Sequence, residues 1–467
     1  MASNNDMPPA PPEDVPDSVK DFVFDLHQSC RHSQRPDEMK SIYSGAFIDL
    51  SQSLYSSSPW PASPLIASEC ESDSLFLAFY DELTTRHMFK NLRPSLADKV
   101  SAWTTYATLF DKLLEKDGET EGDKFHILPE WAFEIIHEYV YQFQGFCQAR
   151  TQLNQRTEAE LKLLKENADV WTVGRVMGHL HGLIDAAGLK DDPTGNSAHG
   201  QSLHIMGYFA SLSLSRLECL LGDYHGSLDA LRSVSFSEKN EMHRGIFAAG
   251  VSVSYHAGVS YFAMGRYRDA AKVFGDKASA INKGTQQGHL KRLSGYEQIS
   301  KTQDKMLAFL AIIQAVDPAV KVDDPIAKLT HQAYGDNISR VVAGEETFEE
   351  LFSFACPKFV SPVAPDYSLA GPDSKNLSAV AYASQVKRCV AALQPALTLA
   401  KIRSYLKLYT SIPISKLAQF CDTDEETMSG LVLSLKAMTL QPVYASHSRS
   451  PLNFSSPPPP PPPPGGK

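Results

Sequence analysis

Apolar residues recur at intervals of three and four along most of the chain, the spacing that places side chains on one face of an α-helix. The clearest example follows Pro129, which suits the first position of a helix because it has no amide hydrogen to satisfy. No half of the chain is rich in strand patterns, so the sequence predicts an all-α fold. We interpret the aromatic-rich stripe as core and not as a cofactor site, and it consists of Trp131, Ile135, Tyr139, Phe143 and Phe146.

A second helix is predicted from Asp169, placed to cap it, to Gly188, placed to end it. Gly174, Gly178 and Gly182 recur every four residues in this segment. Each glycine costs roughly 1 kcal/mol relative to alanine in a helix interior. The stripe therefore predicts the close approach of a neighbouring helix. A membrane dimerisation motif is the alternative, and the charged and histidine residues of the segment disfavour it.

Two stretches between 220 and 274 read as helical hairpins, LLGDYHGSLDAL and AMGRYRDAAKVF. In each, a glycine marks the turn, a tyrosine can pack between the helices, and a small residue lets them approach. This chemistry is typical of tetratricopeptide hairpins, but the two glycines are 43 residues apart instead of the usual ~34. The sequence therefore predicts an irregular TPR-like helical repeat array. The three positions are Gly222, Tyr224 and Ser227 in the first stretch and Gly265, Tyr267 and Ala270 in the second.

The C-terminal part predicts a helix-turn-helix that is preceded by an amphipathic helix. The preceding helix carries one apolar face, formed by Leu399, Ile402, Leu406 and Tyr409. A short helix from Ile414 to about Cys421 follows, with Leu417 and Phe420 facing inward. We expect Thr423 to begin the next helix, with Glu426 three residues later completing a capping box. The inward-facing residues of that helix are expected to be Met428, Leu431, Leu435 and Met438.

The chain of 467 residues carries a formal net charge of -10, so as a whole it repels phosphate backbones. Its seven cysteines are widely spaced and form no zinc motif, which is typical of core thiols in a reducing compartment. The first residues form no targeting signal, and the longest apolar run, from Leu307 to Ile313, is too short to cross a bilayer. We therefore expect a cytoplasmic protein without membrane contact.

The best candidate for a metal site combines His179, His181 and Asp185 with His204. Residues two apart on a helix point away from each other, so His179 and His181 cannot share an ion, which disfavours the site. The sequence contains no phosphate-binding loop, nucleophile elbow or HExxH motif. The acidic pairs at 345–346 and 349–350 look like a solvated charge run. We therefore assign no catalytic, cofactor-binding or metal-binding residue, and no small-molecule substrate.

A helix-turn-helix raises the hypothesis of nucleic-acid binding, and its charge disfavours it. Two lysines stand against four acidic residues from 414 to 438, and the acids crowd the start of the second helix. Protein docking is the preferred interpretation, with only indirect or weak contact with RNA. The basic residues just before the motif are interpreted as a solvated helix face. They are Lys401, Arg403 and Lys407.

Several long strings, in this order, resemble the subunit L family of eukaryotic translation initiation factor 3, over about Val19 to Met438. The strings are SSPWPA, AFYDELTTRHMF, EYVYQFQGFCQAR, LLGDYHGSLDAL, MGRYRDAAKVF, ELFSFACPKFVSPVAPDY and IRSYLKLYTSIPISKLAQF. The resemblance implies a PCI-type protein, in which helical repeats end in a winged-helix module. It implies a non-catalytic scaffold that binds other subunits of the factor, with subunit K as neighbour. It also implies a role on the small ribosomal subunit, in recruiting messenger RNA and initiator transfer RNA.

The sequence departs from the family near its C-terminus, where QPVYASHSRSPLNFSS leads straight into eight prolines. We therefore expect a truncated module without the wing strands and the terminal helices. The proline run is expected to form a polyproline II rod, a hypothetical ligand for profilin-like or SH3-like proteins. Two other functions remain as alternatives, a PCI subunit of the proteasome lid or signalosome and a metal-dependent enzyme.

Five segments are expected along the chain. The two ends, 1–18 and 441–467, are expected to be disordered because they are rich in proline and polar residues. Between them we predict an N-terminal helical region at 19–200, TPR-like repeats of a PCI domain at 201–395 and the helix-turn-helix part of a winged helix at 396–440.

Overall fold

The computed structural model describes residues 15–32, 36–115, 125–189, 201–234, 246–293, 295–369 and 376–445. The regular secondary structure of these residues is entirely helical, which confirms the predicted all-α fold. They form two compact units. Unit 1 takes the described residues up to Leu214 with those of 230–235 and 360–378, and unit 2 takes the described residues of 215–229, 236–359 and 379–445.

Unit 1 is built from eight helices and the first two thirds of a ninth, together with short 3-10 turns. A π-helical turn at Ile42–Ala46 joins the second and third of these helices. The bounds are α1 Asp17–His32, α2 Pro36–Ser41, α3 Phe47–Ser53, α4 Ser74–Asn91, α5 Leu96–Leu114, α6 Pro129–Thr151, α7 Glu158–Glu166, α8 Val173–Ala186 and α9 Gln201–Leu221. The 3-10 turns are Ser63–Leu65, Ala67–Cys70, Leu153–Gln155 and Tyr367–Leu369.

Helix α6 forms the centre of the unit 1 core. It begins at Pro129 as predicted, and all five residues of the predicted stripe are buried. Tyr139 lies among rings from three other segments, with its centroid 4.7 Å from Phe110 and 5.4 Å from Trp171. Aromatic pairs at such separations stabilise a core beyond the area they bury. The interpretation of the stripe as core is confirmed.

A network of charged side chains lies inside unit 1. Glu82 is fully buried, and its carboxylate accepts a hydrogen bond from Arg86 Nε at 3.0 Å. Arg86 also forms an ion pair with Glu134, and the Tyr43 hydroxyl donates to Glu134 at 2.5 Å. The Tyr106 hydroxyl adds a longer contact to Glu82 at 3.4 Å. The network connects α4, α5 and α6 with the π-helical turn, which presents Tyr43.

The start of α8 differs from the prediction. The helix begins at Val173, after Thr172, so Asp169 is not its cap. The reason is Trp171, whose backbone has a φ of +50° and whose indole is buried and donates to the Lys99 carbonyl at 2.8 Å. Burying this ring turns the chain before the helix can begin. The predicted end is confirmed, since Gly188 has a φ of +62°.

The close approach of a neighbouring helix that the glycine stripe of α8 predicted is absent at two of its three glycines. An added Cβ at Gly174 or Gly178 would meet nothing within 4 Å, whereas at Gly182 it would lie 2.8 Å from the end of the Leu114 side chain. The close approach of two helices occurs instead at a glycine of α9. A Cβ at Gly207 of α9 would lie 2.7 Å from the backbone oxygen of Leu183 and would overlap Ala187.

These glycines therefore predict opposite effects of the same substitution. Gly207→Ala is expected to lower the free energy of unfolding of unit 1 by about 1–3 kcal/mol, because backbone atoms block the new methyl group. Gly178→Ala is expected to raise it by about 0.5–1 kcal/mol, because an open helical site favours alanine. Urea unfolding followed by tryptophan fluorescence measures both. Equal effects of the two substitutions would contradict the packing described here.

Unit 2 consists of the end of α9 followed by nine further helices. They are α10 Tyr224–Asp229, α11 Phe247–Ala263, α12 Tyr267–Gln286, α13 Tyr296–Val316, α14 Asp324–Ala343, α15 Glu349–Ala355, α16 Leu377–Leu408, α17 Ile414–Phe420 and α18 Glu425–Ala445. A 3-10 turn at Leu290–Arg292 follows α12. From α10 to α14 each helix packs chiefly on its neighbours in sequence, which is the arrangement of helical repeats.

Both predicted hairpin turns are confirmed. Gly222 and Gly265 have φ values of +89° and +73°, which glycine adopts without strain. In each turn the next amide donates to a carbonyl five residues earlier, Asp223 to Glu218 and Arg266 to Tyr261, both at 2.9 Å. This is the Schellman pattern that ends a helix. The two hairpins therefore share their turn geometry as well as their residue types.

The small residues of the hairpins are buried, as their predicted role requires. Ser227 accepts a hydrogen bond from Ser260 Oγ at 2.9 Å and lies 3.2 Å from Ser215 Oγ, so three helices meet at its hydroxyl. Ala270 is fully buried at the equivalent place. The tyrosines are half-buried. Tyr224 donates to Gln385 of α16 at 3.3 Å.

An aromatic cluster fills the centre of unit 2. Phe309 of α13 is fully buried, and four rings surround it at centroid distances of 4.9 to 6.5 Å. Their helices, α11, α12 and α15, are thereby held on α13. The four rings are Tyr255, Phe262, Phe274 and Phe352.

Candidate protein-docking site

The C-terminal end of unit 2 carries a small module made of the last part of α16 with α17 and α18. A cluster of apolar side chains joins the three helices, and Ile402 and Met428 at its centre are fully buried. Tyr405, Ile412, Leu431 and Val432 pack partly buried against it. The predicted helix-turn-helix is confirmed over these residues. The buried members of the cluster are Leu399, Ile402, Leu417, Ala418, Met428 and Leu435.

The turn of this module is built one residue later than predicted. Asp422 has a φ of +52°, and the carboxylate of Asp424 accepts hydrogen bonds from the Thr427 hydroxyl at 2.7 Å and its amide at 2.8 Å. These two hydrogen bonds lower the pKa of Asp424. The capping box of Thr423 and Glu426 was therefore wrong, and Asp424 caps α18 because its carboxylate is the one that reaches the free amide.

Exposed apolar side chains concentrate in this module. Of the sixteen large hydrophobic side chains that are exposed in the described part of the chain, six lie between 406 and 433. Leu408 and Leu433 are the most open of them, at 77% and 66% exposure. We call these six residues the module surface, and they are Leu406, Leu408, Tyr409, Ile414, Phe420 and Leu433.

Among the residues of the module surface, Phe420 was predicted to face inward, and Leu406 and Tyr409 were predicted to share an apolar helix face with Leu399 and Ile402. Phe420 is exposed, so its predicted orientation was wrong. Leu406 and Tyr409 are exposed as well, because α17 and α18 cover only the Leu399 and Ile402 end of the shared face. The Phe420 ring lies 5.2 Å from Tyr405 and 6.2 Å from Tyr409, and Lys416 Nζ stands 5.8 Å from its centroid. The result is an open aromatic cluster at the side of the module.

The charges of the module are arranged as the sequence suggested. Four acidic side chains, all exposed, stand at the start of α18, where a helix that reads DNA would approach phosphates. The basic stretch before the motif lies on α16, with Lys401 and Lys407 exposed and Arg403 half-buried. Four exposed carboxylates at the start of α18 would repel a nucleic-acid backbone. The four acids are Asp422, Asp424, Glu425 and Glu426.

The histidines of the candidate metal site do not converge. The Tyr139 hydroxyl and His179 Nδ1 share a hydrogen bond at 2.8 Å, and the His179 ring stacks on Trp103 at 5.5 Å. Burial lowers the pKa of His179. His181 and Asp185 are exposed, while His204 is buried in α9. Within the described ranges, no group of three His, Cys, Asp or Glu side chains could hold a metal ion.

The acidic pairs near 345 are paired with a cation or open to solvent. Arg340 forms ion pairs with both Glu345, at 4.0 Å, and Glu346. Glu349 and Glu350 are exposed in the first turn of α15. Negative charges at the N-terminus of a helix interact favourably with the helix dipole, so these two carboxylates stabilise α15.

Comparison with known proteins decides the family. A profile described as RNA polymerase I-associated factor PAF67 matches residues 98–454. This chain is similar to proteins of Xenopus tropicalis and Mus musculus that are named eukaryotic translation initiation factor 3 subunit L. Each is 32% identical over 423 residues, which cover 87% of this chain and 74% or 73% of the relative. The namesake from Nematostella vectensis is 32% identical over 435 residues, with 90% and 81% covered.

The chain belongs to the eukaryotic translation initiation factor 3 subunit L family. The resemblance stated from the sequence is thereby confirmed. The sequence strings that carry the resemblance lie in both units. They extend from the region of Trp60 in unit 1 to the module at the end of unit 2. Among the described residues of this family member, no helix is both long and apolar enough to cross a membrane.

Proposed function

We propose that this chain is a non-catalytic scaffold subunit of eukaryotic translation initiation factor 3. The names of its relatives support membership of that factor. A repeat array made of neighbouring helices supports a binding role, because it presents extended surfaces to other proteins. The division into repeats at 201–395 and a winged-helix fragment at 396–440 is part of this proposal.

The proposed partners are other subunits of the factor, with subunit K as the direct neighbour, and the small ribosomal subunit. In this role the chain works in the cytoplasm and helps to assemble the complex that recruits messenger RNA and initiator transfer RNA. Contact with RNA is indirect or weak, because the chain carries a net charge of -10. The role requires neither a cofactor nor a small-molecule substrate.

The observation that carries the docking part of the proposal is the module surface. Exposed apolar side chains that concentrate in one small module and are flanked by polar residues mark protein interfaces, whereas single exposed leucines are ordinary. Leu433 lies on the side of α18 opposite the buried Met428 and Leu435, so it faces outward. A partner that covers Leu408 and Leu433 would remove from water the two most exposed leucines of the described part of the chain.

Affinity purification tests the proposal. The full chain is expected to recover other initiation-factor subunits and small ribosomal subunits, and Leu408→Glu with Leu433→Glu is expected to lower that recovery at least tenfold. A tenfold change in affinity equals about 1.4 kcal/mol of binding free energy. The loss of one or two central interface contacts costs at least that much. Quantitative mass spectrometry of the recovered proteins is the measurement.

The matched control is Val363→Glu in unit 1, which changes a valine of 61% exposure outside the module. Its recovery of partners should equal that of the unchanged chain. Recovery of proteasome-lid or signalosome subunits in place of initiation-factor subunits would contradict the assignment to the factor. Equal recovery by the double variant would contradict docking through the module surface.

A further inference from the structure

The aromatic cluster at the side of the module is open to a ligand. Tyr405, Tyr409 and Phe420 present tilted rings, with angles of 34° and 35° between the planes of each tyrosine and Phe420. Tyr409 and Phe420 are about two-fifths exposed, and Leu417 is buried on the same helix as Phe420. Tilted, half-exposed aromatic rings that carry hydroxyl donors are the chemistry that recognises polyproline II helices. We call these three residues the aromatic surface.

The chain itself contains a segment of matching chemistry. Residues 457–464 are eight consecutive prolines, and residues 446–456 separate them from α18. A polyproline II helix forms no internal hydrogen bonds, so its carbonyl oxygens remain open to donors such as tyrosine hydroxyls. Proline rings supply flat apolar faces that pack on aromatic rings, at a small cost in conformational entropy.

We propose that the proline run 457–464 docks in cis on the aromatic surface of Tyr405, Tyr409 and Phe420. The prolines pack on the three rings, and the two tyrosine hydroxyls donate to proline carbonyl oxygens. Docking covers the side of the module where three apolar side chains, Leu406, Tyr409 and Phe420, are exposed. The inference concerns the isolated chain and does not depend on the proposed function.

The chain is long enough for this contact. Helix α18 has 21 residues and is therefore about 30 Å long, and the aromatic surface adjoins its first residue through Phe420 and the turn at Asp422. The eleven residues of 446–456 span at most about 36 Å when extended. A segment that leaves the end of α18 can therefore return along the helix. The proline run, at about 25 Å, then extends across three rings.

Charge favours the same contact. The segment 446–467 contains Arg449 and Lys467 and no acidic residue. The turn beside Phe420 presents the four exposed carboxylates from Asp422 to Glu426. Basic residues that flank prolines can pair with such carboxylates, although exposed pairs of this kind add little affinity each. Modest affinity is sufficient, because the tether makes the contact intramolecular and keeps the prolines near the module.

Hydroxyl-radical footprinting of the full chain tests the proposal, because it reports the solvent access of single side chains. The comparison is a full-length variant in which the eight prolines are replaced by alternating glycine and serine. We expect Tyr409 and Phe420 to be oxidised at least threefold more slowly in the unchanged chain. Tyr141 in unit 1, with 56% exposure, is the internal control and should react at one rate in both chains. Equal rates at Tyr409 and Phe420 would overturn the proposal.

Two further measurements distinguish other causes of protection. Protection within one molecule is expected to survive a hundredfold dilution, whereas loss on dilution would assign it to a second copy and overturn docking in cis. A synthetic peptide of residues 446–467, added at several millimolar to the glycine-serine variant, is expected to restore protection of both rings. Failure of the peptide to do so would mean that the replacement disturbed the module itself, and would also overturn the proposal.

Discussion

Replacing Arg86 by methionine is expected to lower the free energy of unfolding of unit 1 by about 3–5 kcal/mol. The substitution leaves the carboxylate of Glu82 buried without its cation, which lies 3.0 Å away in the unchanged chain. Burial raises the pKa of Glu82, and Arg86 opposes that shift. Without Arg86 the carboxyl must therefore take up a proton or unfold with its surroundings. Glu134 and Tyr43 lose a shared partner as well.

The four tryptophans make this effect measurable, because Trp60, Trp103, Trp131 and Trp171 all lie in unit 1. Urea unfolding followed by their fluorescence therefore reports on that unit alone. Lys162→Met is the control, since Lys162 and Glu166 form an exposed pair at 3.8 Å, and its effect should stay below about 0.5 kcal/mol. A similar midpoint for both variants would refute the importance of the buried network.

The second large effect is expected in unit 2. Phe309→Ala should destabilise this unit by about 3–5 kcal/mol, because it leaves a cavity among four aromatic rings from three other helices. The residue is fully buried, so the cavity is closed to solvent and the surrounding side chains relax into it only in part. The packing of α11, α12 and α15 on α13 should weaken together.

Hydrogen exchange followed by mass spectrometry checks this prediction, because protection in α11 to α13 reports the stability of the unit. Exchange of these helices should accelerate by at least a hundredfold. The matched control is Phe354→Ala, which removes the same side chain at a site of 48% exposure on α15. Comparable acceleration in both variants would show that the cluster around Phe309 is not the centre of the core.

The elements that the sequence predicted well depend on local chemistry. Pro129 and the stripe after it specify α6, and the residue order of the two hairpins specifies their turns at Gly222 and Gly265. In both cases a helix signal and its terminator lie within a few residues of each other. Such signals can be read without knowledge of the tertiary fold.

The failures have a common cause in distant contacts. Asp169 lost its predicted role because the carbonyl of Lys99, some seventy residues earlier, holds Trp171 in place. Phe420 has helical spacing for the core, but no helix covers its side of the module. The buried pair of Glu82 and Arg86 gave no signal beyond an ordinary i, i+4 charge pair. Its burial became visible only with the packing of α4 between other helices.

Contacts between residues far apart in the sequence also affect how the chain folds during its synthesis. Unit 1 is discontinuous, and its buried Arg150 donates a hydrogen bond to the carbonyl of Pro362, while the Thr151 hydroxyl lies 2.9 Å from Ser378 Oγ. A nascent chain therefore cannot complete its N-terminal unit until residue 378 has left the ribosome. Most of unit 2 leaves the ribosome before residues 360–378 do. Unit 1, whose synthesis starts first, is therefore completed after most of unit 2 has been made.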